Sequence, residues 1–370
     1  MRLTSNGFNG ARMHPYGRAI SACLFVLCVL FYGLEARAEV KSVMPDPGLS
    51  NPKLRFHTGG AAHNAPEISP ILPRISGEAS AWYVAQWNKH QFLRPNEMVR
   101  NDRRYTDPRL GTPLYTFVTP DQESRVSIFS TASGKNVFEL AEAGGSLTGA
   151  GGSNVFLAAY ARPNATFDRP IDYSVDMKFS AADVAAPVAA LQNGIVFAQA
   201  ISGFTLLFAD AKTGAKMSVF MQINHGNTRQ NSSDYRGCFS DQGNRNVLFG
   251  YVGSKVYRMP VRRNNGPPLH IDYGLNQILC DLLNTRFSCA DAHGGGLSAL
   301  IFPPAAHDLK NWSLTSMYVG LETQDRDERP SAVTHGQQGT VKVAVQISNL
   351  RVVSDTSRHF ACPITSGARQ

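Results

Sequence analysis

WSLTSMYVGLETQDRDERPSAVTHGQQGTVKVAVQISNLRVV, Trp312 to Val353, reads as two long strands joined by a polar loop. In its first part Met317, Val319, Leu321 and Thr323 fall on one face at period two, while Tyr318, Gly320, Glu322 and Gln324 fall on the other. In its second, Val341, Val343, Val345 and Ile347 alternate with Lys342, Ala344, Gln346 and Ser348 until Asn349, where the order changes before Leu350 resumes the apolar run. Such a break predicts a bulge or a strand end.

The same alternation spreads outward from this stretch. Leu114 to Val118, Arg125 to Ser130, Asn136 to Leu140, Asn154 to Tyr160, Ile171 to Phe179, Gly194 to Ala200, Phe204 to Asp210 and Met217 to Asn224 read as strands. Asn246 to Val252, Lys255 to Arg262 and Leu269 to Tyr273 extend the series. Ser133-Gly134, Ala143-Gly144-Gly145, Lys212-Thr213-Gly214 and Gln242-Gly243-Asn244 supply turns between them. The Trp82 region suits a strand better than a helix, since aromatic and β-branched residues dominate it. Two segments suit a helix: Ala181 to Leu191, interrupted by Pro187, and Leu275 to Asn284, which carries Leu275, Ile278, Leu279, Leu282 and Leu283 at helical spacing. The expected fold is all-β, an antiparallel jelly-roll β-sandwich with one or two short helices.

A basic opening with Arg2, Arg12 and Arg18, an apolar run from Ala19 to Leu34, and Ala36-Arg37-Ala38 form a secretory signal layout over residues 1–38. Its removal leaves residues 39–77, rich in Pro, Asn, Gly and Ser, as an irregular leader or strap, and residues 78–370 as one β-sandwich domain. Arg2, Arg12, Arg18, Arg37 and Glu35 leave with the signal, so 36 basic against 28 acidic residues becomes 32 against 27, a net +5. Basic residues form no dense cluster, which argues against nucleic acid as a partner and leaves acidic glycans or envelope surfaces open. No stretch after the signal is apolar enough to span a bilayer, and the expected location is secreted or periplasmic.

Cys238, Cys280, Cys289 and Cys362 remain after processing and can pair in three ways. An oxidising compartment predicts two structural disulfides, and no CxxC or HxxxH spacing suggests a metal site. No motif predicts a cofactor: there is no GxSxG elbow, P-loop or dinucleotide fingerprint. His225, His270, His293 and His335 read as scattered surface residues, and Asp325, Asp327 and Glu328, with interleaved arginines, as a solvated loop.

The pair WSLTSMYVGLET and VKVAVQISNLRV resembles the last two strands of the concanavalin A-like lectin and glucanase sandwiches. Within that superfamily, LTSMYVGLE is similar to the segment of glycoside hydrolase family 12 in which a Gly-x-Glu supplies the general acid/base, which carries that role to Glu322. The family's nucleophilic glutamate would stand on a neighbouring strand, yet the best match, KMSVFMQINHG, offers Phe220, Gln222 and Asn224 with no carboxylate on either face. A retaining glycosidase needs two carboxyl groups about 5 Å apart. Asp172 and Asp176, on another strand, are the only stand-ins the pattern suggests.

What remains suits sugar binding, because aromatic rings stack on pyranose faces while amides and carboxylates grip hydroxyls. Tyr318, Glu322, Gln324, Phe220, Gln222 and Asn224 form the expected ligand-binding set, and a carbohydrate polymer is the expected partner. The alternatives are a glycoside hydrolase using Glu322 and a structural or adhesive surface protein without a ligand pocket.

Overall fold

Long-range pairing decides where each alternating segment ends, and most strands prove longer than their local pattern. The computed structural model describes residues 39–45, 49, 54–58, 82–87, 92–93, 110–120, 122–132, 135–145, 152–163, 165–185, 196–228, 235–241, 246–252, 257–258, 262–264, 266–284, 290–291, 302–325 and 340–362. One sheet of eight strands contains β1 (Val40–Ser42), β4 (Tyr115–Val118), β5 (Ser124–Ser130), β6 (Asn136–Gly145), β8 (Ile171–Ala185), β14 (Arg262–Asn264), β15 (Pro268–Gly274) and β18 (Thr340–Asp355). A second, of ten strands, contains β2 (Leu54–Thr58), β3 (Trp82–Trp87), β7 (Gly152–Tyr160), β9 (Val196–Ala209), β10 (Lys216–Asn227), β11 (Tyr235–Asp241), β12 (Asn246–Val252), β13 (Tyr257–Arg258), β16 (Ala290–Asp291) and β17 (Trp312–Asp325).

The first sheet runs β14-β8-β18-β6-β5-β4, with β1 on β18 and β15 on β8; the second runs β16-β11-β12-β10-β9-β17-β7-β3-β2, with β13 on β10. Pairing is antiparallel throughout the first sheet and mostly so in the second, where β2 with β3, β10 with β12 and β13, and β11 with β16 are parallel. Inward residues of the two sheets share one core, in which Val126, Phe138, Leu140 and Val345 from the first meet Leu157, Met221, Val319 and Leu321 from the second. The fold is the expected two-sheet β-sandwich. Arg125 and Glu139, on the opposite face of the first sheet, form a fully buried ion pair at 2.5 Å, to which Gln346 donates at 3.1 Å.

Leu275–Asn284 is helical, as its spacing predicts, and is the one α-helix (α1) among the described residues. Asn276 fastens it to β8: its Oδ1 accepts from the Ile171 amide at 2.6 Å while its Nδ2 donates to Phe167 and Arg169 carbonyls. The break at Asn349 is a bulge, with a register shift between Ser348 and Arg351 and a φ of 51° at Asn349.

Three expectations are corrected. Ala181 to Ala185 continues β8 rather than starting a helix, because pairing with β14 and β18 outweighs the helix preference of its alanines. Gly144 and Gly145 are not a turn: they end β6 opposite Val341 and Thr340. The stretch from residue 39 is not irregular throughout, since Val40–Ser42 pairs with β18, Leu54–Thr58 pairs with β3, and Met44, Leu49 and Phe56 are buried. The signal segment lies outside the described residues.

Cys280 of α1 is bonded to Cys362, 82 residues later, which pins the segment after β18 to the helix. With that pair taken, the two-bridge expectation leaves Cys238 to bond Cys289. Thiol titration of the unreduced protein in denaturant is expected to find no reactive cysteine, and non-reducing peptide mapping to recover 238 linked to 289. A titratable thiol would remove the second bridge.

Candidate functional site

Tyr318 and Glu322 on β17 and Phe220, Gln222 and Asn224 on β10 lie on the same face of the ten-stranded sheet, the one turned away from the core, since their neighbours Val319, Leu321, Met221 and Ile223 are all fully buried in it. The two strands are not neighbours. β9 runs between them, pairing with both, and adds Gln199, Ile201, Gly203 and Thr205 to the face. Reading residues 194–210 as two strands broken near Gly203 hid this. A continuous period-two count through Gln199, Ile201, Gly203 and Thr205 would have found it.

Glu322 is half-buried and stands opposite Asn154 of β7 on one side and Gln199 of β9 on the other. Gln199 Nε2 donates to Glu322 Oε2 at 2.7 Å, and Asn224 Nδ2 donates to Gln199 Oε1 at 2.7 Å. The direction of this chain follows from its end. An ionised carboxylate only accepts, so Gln199 turns its NH2 toward Glu322, presents its oxygen to Asn224, and leaves Asn224 Oδ1 facing away from the chain. That oxygen is buried and has no hydrogen-bond partner. An unmet buried acceptor costs about 1–3 kcal/mol, and a ligand hydroxyl would relieve it.

The aromatic part of the face is held by close approach. The Tyr318 ring lies over Gly203, where a Cβ would sit 1.9 Å from Tyr318 Cζ, and meets Phe156 edge-on at 4.9 Å. Tyr318, Phe220 and Gln222 are half-buried. Gln222 is in register between Gly203 and Gly250, and Phe220 between Thr205 and Leu248. Gln324 is in register with Gly152 and Phe197, its side chain being outside the description. Tyr83 and Tyr160 extend the face beyond β17, their ring centroids 5.6 Å apart.

Asp172 and Asp176 do not join this site, because β8 belongs to the other sheet. Burial raises the Asp172 carboxyl above its ordinary 3.8. At Asp176 burial acts upward too, but hydrogen bonds from Asn349 and His270 outweigh it and hold the carboxyl low. His270 therefore has a carboxylate partner, at 2.7 Å, which its sequence context did not reveal. The loop carrying Asp327 and Glu328 lies outside the described residues, and among the described ones no group of three His, Cys, Asp or Glu side chains could hold a metal ion.

His225 is not a surface residue. It is buried in the core, where its Nε2 is 2.7 Å from Ser202 Oγ, which is 2.5 Å from the Tyr173 hydroxyl of the opposite sheet. Its ring stacks near Tyr173 and Tyr273, at centroid distances of 6.0 and 6.1 Å. Burial drives its pKa from 6.5 to about 3, and burial likewise pushes the Tyr173 phenol upward.

These features define a β-sandwich protein with a polar, aromatic-lined sheet face. No family model matches the chain, and no curated protein does. Solved structures with a partial likeness include a family 12 glycoside hydrolase, 12% identical over 65% of this chain and 93% of that chain, with a TM-score of 0.33. Two others are the family 11 xylanase from Neocallimastix patriciarum (10% identity, 71% and 97% covered, TM-score 0.22) and an endoglucanase from Rhodothermus marinus (9%, 63% and 92%, TM-score 0.25). None of them carries a residue role to this chain.

Proposed function

We propose that the protein binds a carbohydrate polymer on the outer face of the ten-stranded sheet and does not cleave it. The observation that carries this reading is the setting of Glu322: the flanking strands place amides, Asn154 and Gln199, directly opposite it, and a third amide, Asn224, completes the hydrogen-bonded chain. Amides grip hydroxyls but cannot attack an anomeric carbon, so the side chains placed opposite Glu322 suit binding. Tyr318 and Phe220 supply half-buried rings for the apolar faces of sugars. The signal layout and the Cys280–Cys362 bridge support a site of action outside the cytoplasm. No helix among the described residues is long and apolar enough to cross a membrane.

The second reading is hydrolysis with Glu322 as general acid/base, favoured by the half-buried position of Glu322 on the same sheet face as Tyr318. One variant separates the two. After a glycan-array screen identifies a ligand, Glu322→Gln is expected to weaken binding only a few-fold, about 1 kcal/mol for one altered hydrogen bond, with no product released by the parent. Release of reducing ends by the parent, lost by orders of magnitude in Glu322→Gln, would replace binding with hydrolysis. Tyr318→Ala is expected to weaken binding under either reading.

A further inference from the structure

Regular alternation along β10 fails at one place. Asn224 is opposite Ile201, but Gly226, not His225, is opposite Ala200, so His225 is an extra residue and the strand bulges. The insertion changes which side chains reach the outer face. Without it, alternation from Asn224 would turn Asn227 toward the core; with it, Asn227 stands opposite Gln199, in line with Glu322 and Asn154 on the next two strands. Bulges act in this way, re-aiming side chains beside functional sites.

The extra residue is also the one that is tied down. His225 turns inward and meets Ser202 Oγ at 2.7 Å, Ser202 meets Tyr173 of the opposite sheet at 2.5 Å, and Ser202 lies on β9 between Ile201 and Gly203, two residues of the candidate face. Residues 224 and 225 each hold a buried polar atom without a hydrogen-bond partner, Asn224 Oδ1 and His225 Nδ1. Unmet polar atoms of this kind mark places where a fold departs from its most stable arrangement, and functional sites are where such departures collect.

We propose that His225 is a positioning residue for the Glu322 face: bonded to Ser202 on the neighbouring strand, it fixes the bulge that sets Asn224 against Gln199 and turns Asn227 to the side of the sheet that carries Glu322. The ligand-binding arm of its test rests on the carbohydrate reading above; the other arm does not. His225→Gln keeps a donor and acceptor near the Nε2 position, whereas His225→Phe keeps the ring and loses the bond to Ser202.

In the ligand-free protein, hydrogen exchange of the Asn224 and Gln199 side-chain amides is read by nitrogen-15 NMR. The parent and His225→Gln are expected to protect them equally, and His225→Phe to exchange them about tenfold faster, the factor set by one lost hydrogen bond. Affinity electrophoresis in xylan and in carboxymethylcellulose is expected to show the same order, with His225→Phe about tenfold weaker. Parent-like exchange in a folded His225→Phe overturns the inference, whatever binding does. If the parent binds neither these polymers nor any array glycan, the carbohydrate reading falls and the exchange arm alone decides the positioning role. Should His225→Phe not fold, Ser202→Ala removes the same bond with the ring in place, Tyr173→Phe removes only the other bond that Ser202 makes, and the inference stands if exchange quickens in the first and not in the second.

Discussion

Between pH 6.5 and pH 4.5 the unfolding free energy is expected to fall by about 2 kcal/mol more in the parent than in His225→Gln. Above about pH 7.5 the imidazole is neutral in both states and contributes little pH dependence. As the pH drops, the unfolded chain takes up a proton at the ordinary pKa of 6.5, while burial delays protonation of the folded protein to about 3. Stability is therefore lost progressively as pH falls through that window, by about 1.4 kcal/mol per unit and about 5 kcal/mol in all. Tyr173 and Tyr273 are the titratable groups whose rings face the imidazole, and neither offers it a countercharge. Asp210 and Asp355, held below 3.8 by hydrogen bonds from Thr213 and Ser357, remain ionised above pH 4.5, and the raised carboxyl of Asp172, common to parent and variant, cancels in their difference. Urea unfolding of parent and variant at half-unit pH steps reads the difference. Parallel curves would mean that water or a movement of the core reaches His225.

Gly320→Ala is expected to destabilise the protein by about 3 kcal/mol or more, at or above the top of the ordinary range for overpacking. A Cβ there would lie 2.3 Å from the Val155 carbonyl oxygen and 2.8 Å from Phe156 Cα, so the obstacle is the backbone of β7, with Leu140 Cδ1 behind it at 3.0 Å. Relief requires β17 and β7 to separate along a pairing that holds the middle of the sheet. Gly203→Ala provides the contrast, because the three atoms nearest its Cβ would all belong to the Tyr318 ring rather than to backbone. That ring can rotate out, so a smaller stability loss is expected, with ligand binding bearing the larger share. Denaturant midpoints of the two variants test the pair, and a Gly320→Ala protein as stable as Gly203→Ala would show that β7 yields.

Strand faces were legible in the sequence wherever a segment alternated over several residues, as in Ile171 to Phe179 and Met317 to Thr323, because period two is a local property. The faces of Tyr318 and Glu322, and of Phe220, Gln222 and Asn224, follow from it. Register is not local. The turn at Lys212-Thr213-Gly214 announces β9 as the neighbour of β10, but nothing local states that β9 also separates β10 from β17, or that a single extra residue at 225 reverses the alternation after it. Gly203 read as a strand break because glycine is a poor strand residue in isolation, yet it is the seat of the Tyr318 ring. Val40–Ser42 and Leu54–Thr58 were hidden by flanking Pro, Asn and Gly, since what orders them is pairing with strands elsewhere in the chain. The choice of Cys280 for Cys362 likewise depends on where α1 docks.

β18 pairs with β6 and β8 along most of its length and with β1 at its end. All three precede it in the chain, so a ribosome that has not yet delivered residues 340–355 has produced a sandwich with a slot through the middle of one sheet. Val341, Val343, Val345 and Ile347, which fill the core from that slot, arrive together and late. Pairings at such sequence distances form slowly, and the waiting chain exposes both unpaired edges and apolar faces. Order of synthesis thus imposes a delay: the first sheet cannot close until residues 340–355 have been delivered and have paired with the strands on either side.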